Sequence, residues 1–279
     1  MTRLNLRYLT AADIPFADSL RAIAGWNQTV TDWQRFLDLS PRRCLLAECE
    51  GRPVGTATTI SYGAELGWIG MMLVHPDFRR RGIARVLMDH SIEILRAAGV
   101  KSIKLDATPA GREVYLTMGF KDEFTLTRFQ CDATAPTNCS PSIRNATPED
   151  LKQITALDQQ ATGAPREEML RRLLADGSRA LVYQSQNQIT GFGIARPGSL
   201  ASYIGPIAAT DPSHAREIAA ALAMGKTFCD LPDLNKAAVE WARSYGFTLQ
   251  RTLTRMYLGD NVAAPAAQNY FAIAAPDLG

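Results

Sequence analysis

Apolar and polar residues follow two different periods along the first 130 residues, and these periods predict alternating strands and helices. The segment 68–74 is almost continuously apolar, which is typical of a strand buried on both faces of a sheet. After Arg81 the apolar residues recur at helical spacing, and Gly99 stands where such a helix is expected to end. The predicted core-facing stripe of this helix consists of Ala84, Leu87, Met88, Ser91, Leu95 and Ala98.

The order of elements predicted for the first half is β-α-α-β-β-β-α-β-α-β. A helix that connects two neighbouring strands of one sheet normally makes them parallel, with a right-handed crossover. The helix after Arg81 is followed by the predicted strand 101–107, so this pair is expected to be parallel. The sheet is therefore predicted to be mixed, with the apolar strand near its centre.

The second half of the chain repeats the order of the first. Residues 4–15 resemble residues 141–152, and each stretch predicts a short strand, a threonine cap and a helix. Both halves end near similar strands, at 126–129 and at 253–256. A recurring order at comparable spacing indicates an internal repeat.

A change of composition separates the two halves. Residues 132–142 are rich in Pro, Ser, Thr and Asn and lack apolar periodicity, which is typical of a linker. We therefore predict one domain over 1–131 and a second over 143–279. The apolar stretch 269–279 is expected to dock as a final strand.

The composition excludes several classes of function. The chain has 279 residues and a net charge of +2, which does not favour a general nucleic-acid-binding surface. No apolar run approaches the roughly 18–20 residues needed to span a membrane, and the first residues lack the apolar core of a signal peptide. The five cysteines lack metal-ligand spacing and only three histidines occur, so we expect no metal. These features predict a cytoplasmic protein with reduced thiols.

Local positive charge is concentrated at one place, where three arginines precede Gly82 between the apolar strand and the next helix. The N–H groups of a first helical turn lack internal partners, and the helix dipole adds partial positive charge. A glycine there allows close approach of an anion, so the stretch predicts a phosphate or pyrophosphate site. The alternative is a solvated basic turn. The spacing fits neither a Walker loop nor a G-x-G-x-x-G motif.

The stretch Arg79-Arg80-Arg81-Gly82-Ile83-Ala84 resembles the Q/R-x-x-G-x-G/A signature of the GNAT superfamily of acyl-CoA-dependent N-acetyltransferases. The segment 105–120 is also similar to a later strand–helix segment of that family, in which a tyrosine precedes Gly-Phe. The whole chain resembles tandem-GNAT proteins of the YitH-like group. The resemblance implies an α/β (α+β) fold of two GNAT-like domains. Each would have a mixed, mostly antiparallel sheet with helices around it and a splayed central strand.

The same resemblance implies transfer of an acetyl group from acetyl-CoA to a primary amine, by direct attack in a ternary complex and without a metal. The amine would belong to a small molecule or a peptide. The backbone N–H of Val74 would stabilise the oxyanion. The residues implied to bind the cofactor are Met72, Leu73, Val74, Arg79, Arg80, Arg81, Gly82, Ile83, Ala84 and, less directly, Thr108.

Tyr115 stands where the family often has the general acid for the CoA thiolate, although a tyrosine on an amphipathic helix can also simply pack. The general base is not identified. The position at which relatives carry a glutamate is occupied by Trp68, which leaves Glu65, Asp106 or a water chain. The stretch 24–36 resembles the substrate-recognition region. Its candidate residues are Trp26, Asn27, Gln28 and Trp33, with helix packing as the alternative for the tryptophans.

The second half lacks the phosphate turn, and Ala242 occupies its tyrosine position. We therefore expect a degenerate, non-catalytic domain that completes the substrate pocket or an oligomer interface, in a monomer or a homodimer. Two alternatives to an acetyltransferase remain open at this point. One is a CoA-binding sensor or scaffold without turnover, and the other is an acyltransferase that uses another acyl-CoA.

Overall fold

The structure, a computed structural model, describes residues 4–132 and 140–279. Most of the predicted linker 132–142 lies outside the described residues. The first half has the predicted order of elements. Its elements are β1 (Leu4–Tyr8), α1 (Ile14–Ile23), α2 (Val30–Leu39), β2 (Leu45–Cys49), β3 (Arg52–Tyr62), β4 (Leu66–Val74), α3 (Ile83–Ala97), β5 (Ser102–Ala107), α4 (Pro109–Leu116) and β6 (Lys121–Cys131).

The second half repeats this order and adds one short strand, as predicted for the apolar end of the sequence. Its elements are β7 (Ile143–Asn145), α5 (Leu151–Thr162), α6 (Glu167–Ala175), β8 (Arg179–Ser185), β9 (Gln188–Arg196), β10 (Ser202–Ala209), α7 (Pro212–Leu222), β11 (Thr227–Pro232), α8 (Lys236–Ser244), β12 (Thr248–Gly259) and β13 (Tyr270–Ala272).

The strands of both halves form one continuous sheet, in the order β1-β2-β3-β4-β5-β12-β6-β11-β10-β9-β8-β7, with β13 beside β10. The pairs β4–β5 and β10–β11 are parallel, and the other recorded pairs are antiparallel. The prediction of a mixed, mostly antiparallel sheet with flanking helices is therefore confirmed.

The two halves exchange their last long strands. β12 of the second half pairs with β5 of the first half, and β6 of the first half pairs with β11 of the second half. The predicted boundary between 131 and 143 thus separates two sequence repeats, but it does not separate two self-contained sheets. The reason is that each long strand completes the edge that the other half leaves open.

Two buried ion pairs fix this exchange. Arg128 on β6 donates to both carboxylate oxygens of Asp230 on β11, at 2.8 and 2.6 Å. Arg255 on β12 binds Asp106 on β5 in the same way, at 2.8 and 2.9 Å. All four side chains are almost fully buried. Loss of one member of such a pair leaves an uncompensated charge and typically costs about 3–5 kcal/mol.

Candidate functional site

The strands β4 and β5 separate after a short parallel stretch. They are paired only at Leu66, Gly67 and Trp68 of β4. Further along β4, Met71 has a positive φ of 46°, and the pairing with β3 shifts so that Met71 and Met72 lie opposite one residue. This is a β-bulge, which bends a strand and changes the direction of its backbone groups. The hydroxyl of Thr56 donates to the Met71 carbonyl at 2.9 Å and holds the bulge.

A cavity of about 90 Å³ lies in the gap between the two strands. The structure brings five of the predicted site residues to its wall, from four separate parts of the first half. These residues are Trp26 and Gln28 before α2, Met72 on β4, Thr108 after β5 and Tyr115 on α4. Asp106 also contributes to the wall, but its carboxylate oxygens are occupied by Arg255 as described above. It is therefore not a free base.

Tyr115 is half-buried and packs against Phe120, with the ring centroids 5.9 Å apart. Burial raises the pKa of its hydroxyl to about 12, so the group is protonated at neutral pH. Thr108 is the N-cap of α4, and its hydroxyl accepts a hydrogen bond from the Gly111 N–H at 3.2 Å. Thr108 thus orients the helix that carries Tyr115 and lies at the cavity itself.

The arginine–glycine turn lies between β4 and α3. Gly82 is the N-cap of α3 with a φ of +79°, a conformation that favours glycine, and no atom lies within 4 Å of where its Cβ would stand. The turn therefore leaves room for a ligand at the start of a 15-residue helix. Arg79 and Arg81 donate side-chain hydrogen bonds to the carbonyls of Val74 and Asp77. The N–H of Arg79 donates to the Pro76 carbonyl at 3.2 Å, so the side chain is the part of Arg79 that could reach a phosphate.

Two predicted catalytic groups lie away from the cavity. Val74 is paired with Gly55 beyond the bulge and is not part of the cavity wall, so Met71 and Met72 are the backbone candidates for oxyanion contact. Glu65 lies in the turn before β4, about 20 Å from the bulge at the usual rise of a strand. Its exposed carboxylate pairs with Lys101 at 2.7 Å and is not part of the cavity wall.

Two predicted substrate residues have structural roles instead. Trp33 is fully buried and packs against Phe36, with centroids 6.1 Å apart, as the packing alternative predicted. Asn27 is buried and exchanges hydrogen bonds with the backbone of Leu200 and Ala201 in the second half. It therefore joins the two halves beside the site rather than facing the cavity.

Two parts of the second half that the sequence did not point to also line the cavity: Arg251 and Leu253 on β12, and the segment 273–279. Pro276 and Asp277 form part of the cavity wall. The Trp68 indole N–H donates to the Pro276 carbonyl at 3.0 Å, and the Tyr62 hydroxyl donates to the Leu278 carbonyl at 2.7 Å. The apolar pattern of this segment predicted that it docks, but it gave no indication of where.

The equivalent gap in the second half is filled by the chain itself. β10 and β11 are paired in parallel only at Ser202 and Tyr203. Beyond that point β13 pairs with β10, and the Ile273 N–H donates to the backbone carbonyl of Asp230 on β11 at 3.0 Å. At the start of α7, the Asp211 carboxylate accepts from the Ser213 N–H and gives that helix a negative N-terminus. Neither feature suits binding of a phosphate-bearing ligand.

Comparison with known proteins agrees with this geometry. A model of the acetyltransferase (GNAT) family matches residues 15–120, and a model of an acetyltransferase (GNAT) domain matches residues 154–272. The chain is a tandem member of the GNAT acetyltransferase family. It is therefore an enzyme of the acyltransferase class, and acyl-CoA is the donor that this family uses.

Several relatives resemble this tandem GNAT chain over much of its length. Holothin acyltransferase from Pseudoalteromonas sp. is 23% identical over 240 residues, which is 84% of this chain and 81% of that protein. The uncharacterized N-acetyltransferase YitH of Bacillus subtilis is 25% identical over 57% of this chain and 56% of its own length.

Solved structures show the same tandem architecture. A Pyrococcus horikoshii structure assigned to the acetyltransferases has a TM-score of 0.87 and 26% identity, with 99% of this chain and 96% of that chain covered. A tandem GNAT protein from the clavulanic acid biosynthesis pathway has a TM-score of 0.67 at 18% identity, over 95% of this chain and all of that chain. Among the described residues, no helix combines the length and apolar character that a membrane crossing requires.

Proposed function

We propose that this GNAT protein transfers an acetyl group from acetyl-CoA to a primary amine, and that only the first half performs the chemistry. The observation that supports this most directly is the open gap between β4 and β5, which has a bulge on one side and Tyr115 on the other. The corresponding gap in the second half is occupied by β13. One chain would then bind one molecule of acetyl-CoA.

The donor would bind along β4 and the turn after it. The pantetheine arm has amide groups that can pair with a strand edge, and β4 offers such an edge at Met72, Leu73 and Val74 once β5 has separated. The backbone N–H groups from Arg80 to Ala84 would receive the pyrophosphate at the start of α3. The arginine side chains would add charge at the rim.

The reacting thioester would then lie in the cavity at the bulge. Attack by the amine on the carbonyl carbon develops negative charge on the oxygen, and the backbone N–H of Met72 is the proposed donor to it. The C–S bond breaks as the tetrahedral state collapses, and Tyr115 gives its proton to the leaving thiolate. Burial raises the pKa of Tyr115 to about 12, so its hydroxyl carries the proton at neutral pH and can donate it.

The second half would serve the first by completing its structure. It contributes β12 beside β5 and the segment 273–279 at the cavity wall. This arrangement supports the predicted role in completing the substrate pocket.

Calorimetry and a thiol-release assay test the proposal together. Acetyl-CoA should bind with a stoichiometry of one per chain, and primary amines from a mixed panel should then release CoA thiol. The same panel with longer acyl-CoA donors tests the alternative acyl specificity, which the holothin acyltransferase relative makes relevant. Binding without thiol release on any amine would favour a CoA sensor. A stoichiometry of two, or no binding, would contradict the proposal.

A further inference from the structure

Asp277 is a buried carboxylate at the wall of the catalytic cavity. Only 4% of the residue is exposed. Its Oδ1 accepts a hydrogen bond from the Gln28 side chain at 2.7 Å. Its Oδ2 is buried and has no hydrogen-bond partner among the described residues. A buried carboxylate oxygen without a partner is costly and rare in a folded protein, and it calls for a ligand or a proton.

The structure holds Asp277 directly against the reactive strand. A Cβ placed on Gly70 would lie 3.0 Å from the Cα, Cβ and carbonyl oxygen of Asp277, so only glycine permits this approach. Gly70 immediately precedes the bulge residue Met71. Contacts of Trp68 with Pro276 and of Tyr62 with Leu278 fix the chain on both sides. The carboxylate is therefore positioned by the strand that carries the oxyanion contact.

The other acids near the cavity are already engaged. Asp106 is bound through both oxygens by Arg255. Asp32 caps α2 and pairs with Arg35. Among the described residues that line the cavity, Asp277 is thus the carboxylate with an oxygen free to accept a proton.

We infer that Asp277 is the general base that deprotonates the amine substrate. This assignment rests on the proposed acetyltransferase function. The carboxylate accepts one proton from the incoming ammonium group, and the neutral amine forms the C–N bond to the thioester carbonyl carbon. The C–S bond breaks and the thiolate takes the Tyr115 proton. The nitrogen then loses its second proton, which passes through water to Tyr115 and restores the hydroxyl. Asp277 releases the first proton to solvent, so one proton is produced for each amide formed.

The electrostatic surroundings suit this role. Burial has the largest effect on the pKa of Asp277, and the nearby charge of Asp32 also raises it, while Arg196 and the bond from Gln28 lower it; the net pKa is about 6. The carboxylate is therefore ionised at neutral pH but binds a proton more readily than an ordinary aspartate. The other titratable groups that interact with it are Tyr62 on β3, Arg128 on β6 and Arg251 on β12.

The substitution Asp277→Asn in the full chain tests the assignment, with Asp260→Asn at an exposed acid as the matched control. For an alkylamine that is charged at pH 7, kcat/KM should fall by about 100-fold or more. The limb of the wild-type pH profile near pH 6 should disappear. For an aromatic amine that is already neutral at pH 7, the loss should be at least about tenfold smaller, because no ammonium proton has to be removed. Acetyl-CoA affinity and the Asp260→Asn activity should not change.

The outcomes separate this assignment from the proposed function. If the wild type releases thiol and Asp277→Asn retains its rate and its pH profile, the assignment is wrong and the acetyltransferase function stands. An equal loss with both amines, together with weaker acetyl-CoA binding, would show a structural role and would also overturn it. If the wild type acetylates no amine of either kind, the proposed function fails and the assignment fails with it.

Discussion

The substitution Asp277→Asn should make the protein more stable at neutral pH while it removes activity. The folded protein holds this carboxyl at a pKa of about 6, against an ordinary value of 3.8. At about 1.4 kcal/mol per pKa unit, the ionised side chain destabilises the fold by about 3 kcal/mol. Asparagine has nearly the same shape, keeps an oxygen for Gln28 and carries no charge. The side-chain NH2 group of the asparagine takes the place of Oδ2. Because Oδ2 has no hydrogen-bond partner among the described residues, the substitution removes no contact there.

The sign of the pH dependence follows from the direction of the pKa change. The folded state binds the proton more tightly than the unfolded state, so wild-type stability falls as the pH rises from about 4 to about 6. The increase in the free energy of unfolding that Asp277→Asn causes should therefore be complete above about pH 6 and absent below about pH 4. Thermal unfolding should show a midpoint about 6 °C higher at pH 7.5, and equal midpoints at pH 3.5 if both proteins remain folded there. A lower midpoint at pH 7.5 would refute the reasoning.

Three further changes test other parts of the structure. Gly82→Glu should weaken acetyl-CoA binding by about 100-fold through charge repulsion and obstruction of the turn. Gly99→Glu is the matched control for calorimetry, because it has a similar positive φ and open space at the other end of α3. Tyr115→Phe should lower kcat by about 100-fold at unchanged acetyl-CoA affinity, and full activity would show that the tyrosine only packs. Asp230→Asn leaves Arg128 buried without its charge partner and should cost about 3–5 kcal/mol in urea unfolding; an unchanged midpoint would contradict this.

Features that depend on neighbouring residues could be predicted from the sequence. The order of elements, the parallel β4–β5 pair and the arginine–glycine turn all follow from local periodicity and spacing. The bulge could not be located in this way, because its residue with positive φ is Met71, a residue type that gives no signal for that conformation. Spacing from the arginine–glycine turn thus pointed to Val74 as oxyanion donor, whereas the donor that we propose from the bulge is Met72.

Contacts between distant parts of the chain were out of reach. Arg128 and Arg255 stand at equivalent places in the two repeats, and so do Asp106 and Asp230, so local sequence does not decide which arginine pairs with which aspartate. Asp277 lies more than 150 residues from Tyr115 along the chain, and no motif connects the two. Glu65, by contrast, is next to β4 in the sequence but lies at the end of the strand away from the bulge.

The exchange of long strands has a consequence for how the enzyme is made. β5 is synthesised early, but its neighbour β12 begins only at residue 248. At about 5–20 residues per second, the ribosome needs about 7–28 seconds to produce the intervening chain. During that time the first half has an open sheet edge and no Asp277. The contact of β5 with β12 and the part of the cavity wall formed by Pro276 and Asp277 therefore arise only once the second half has been synthesised.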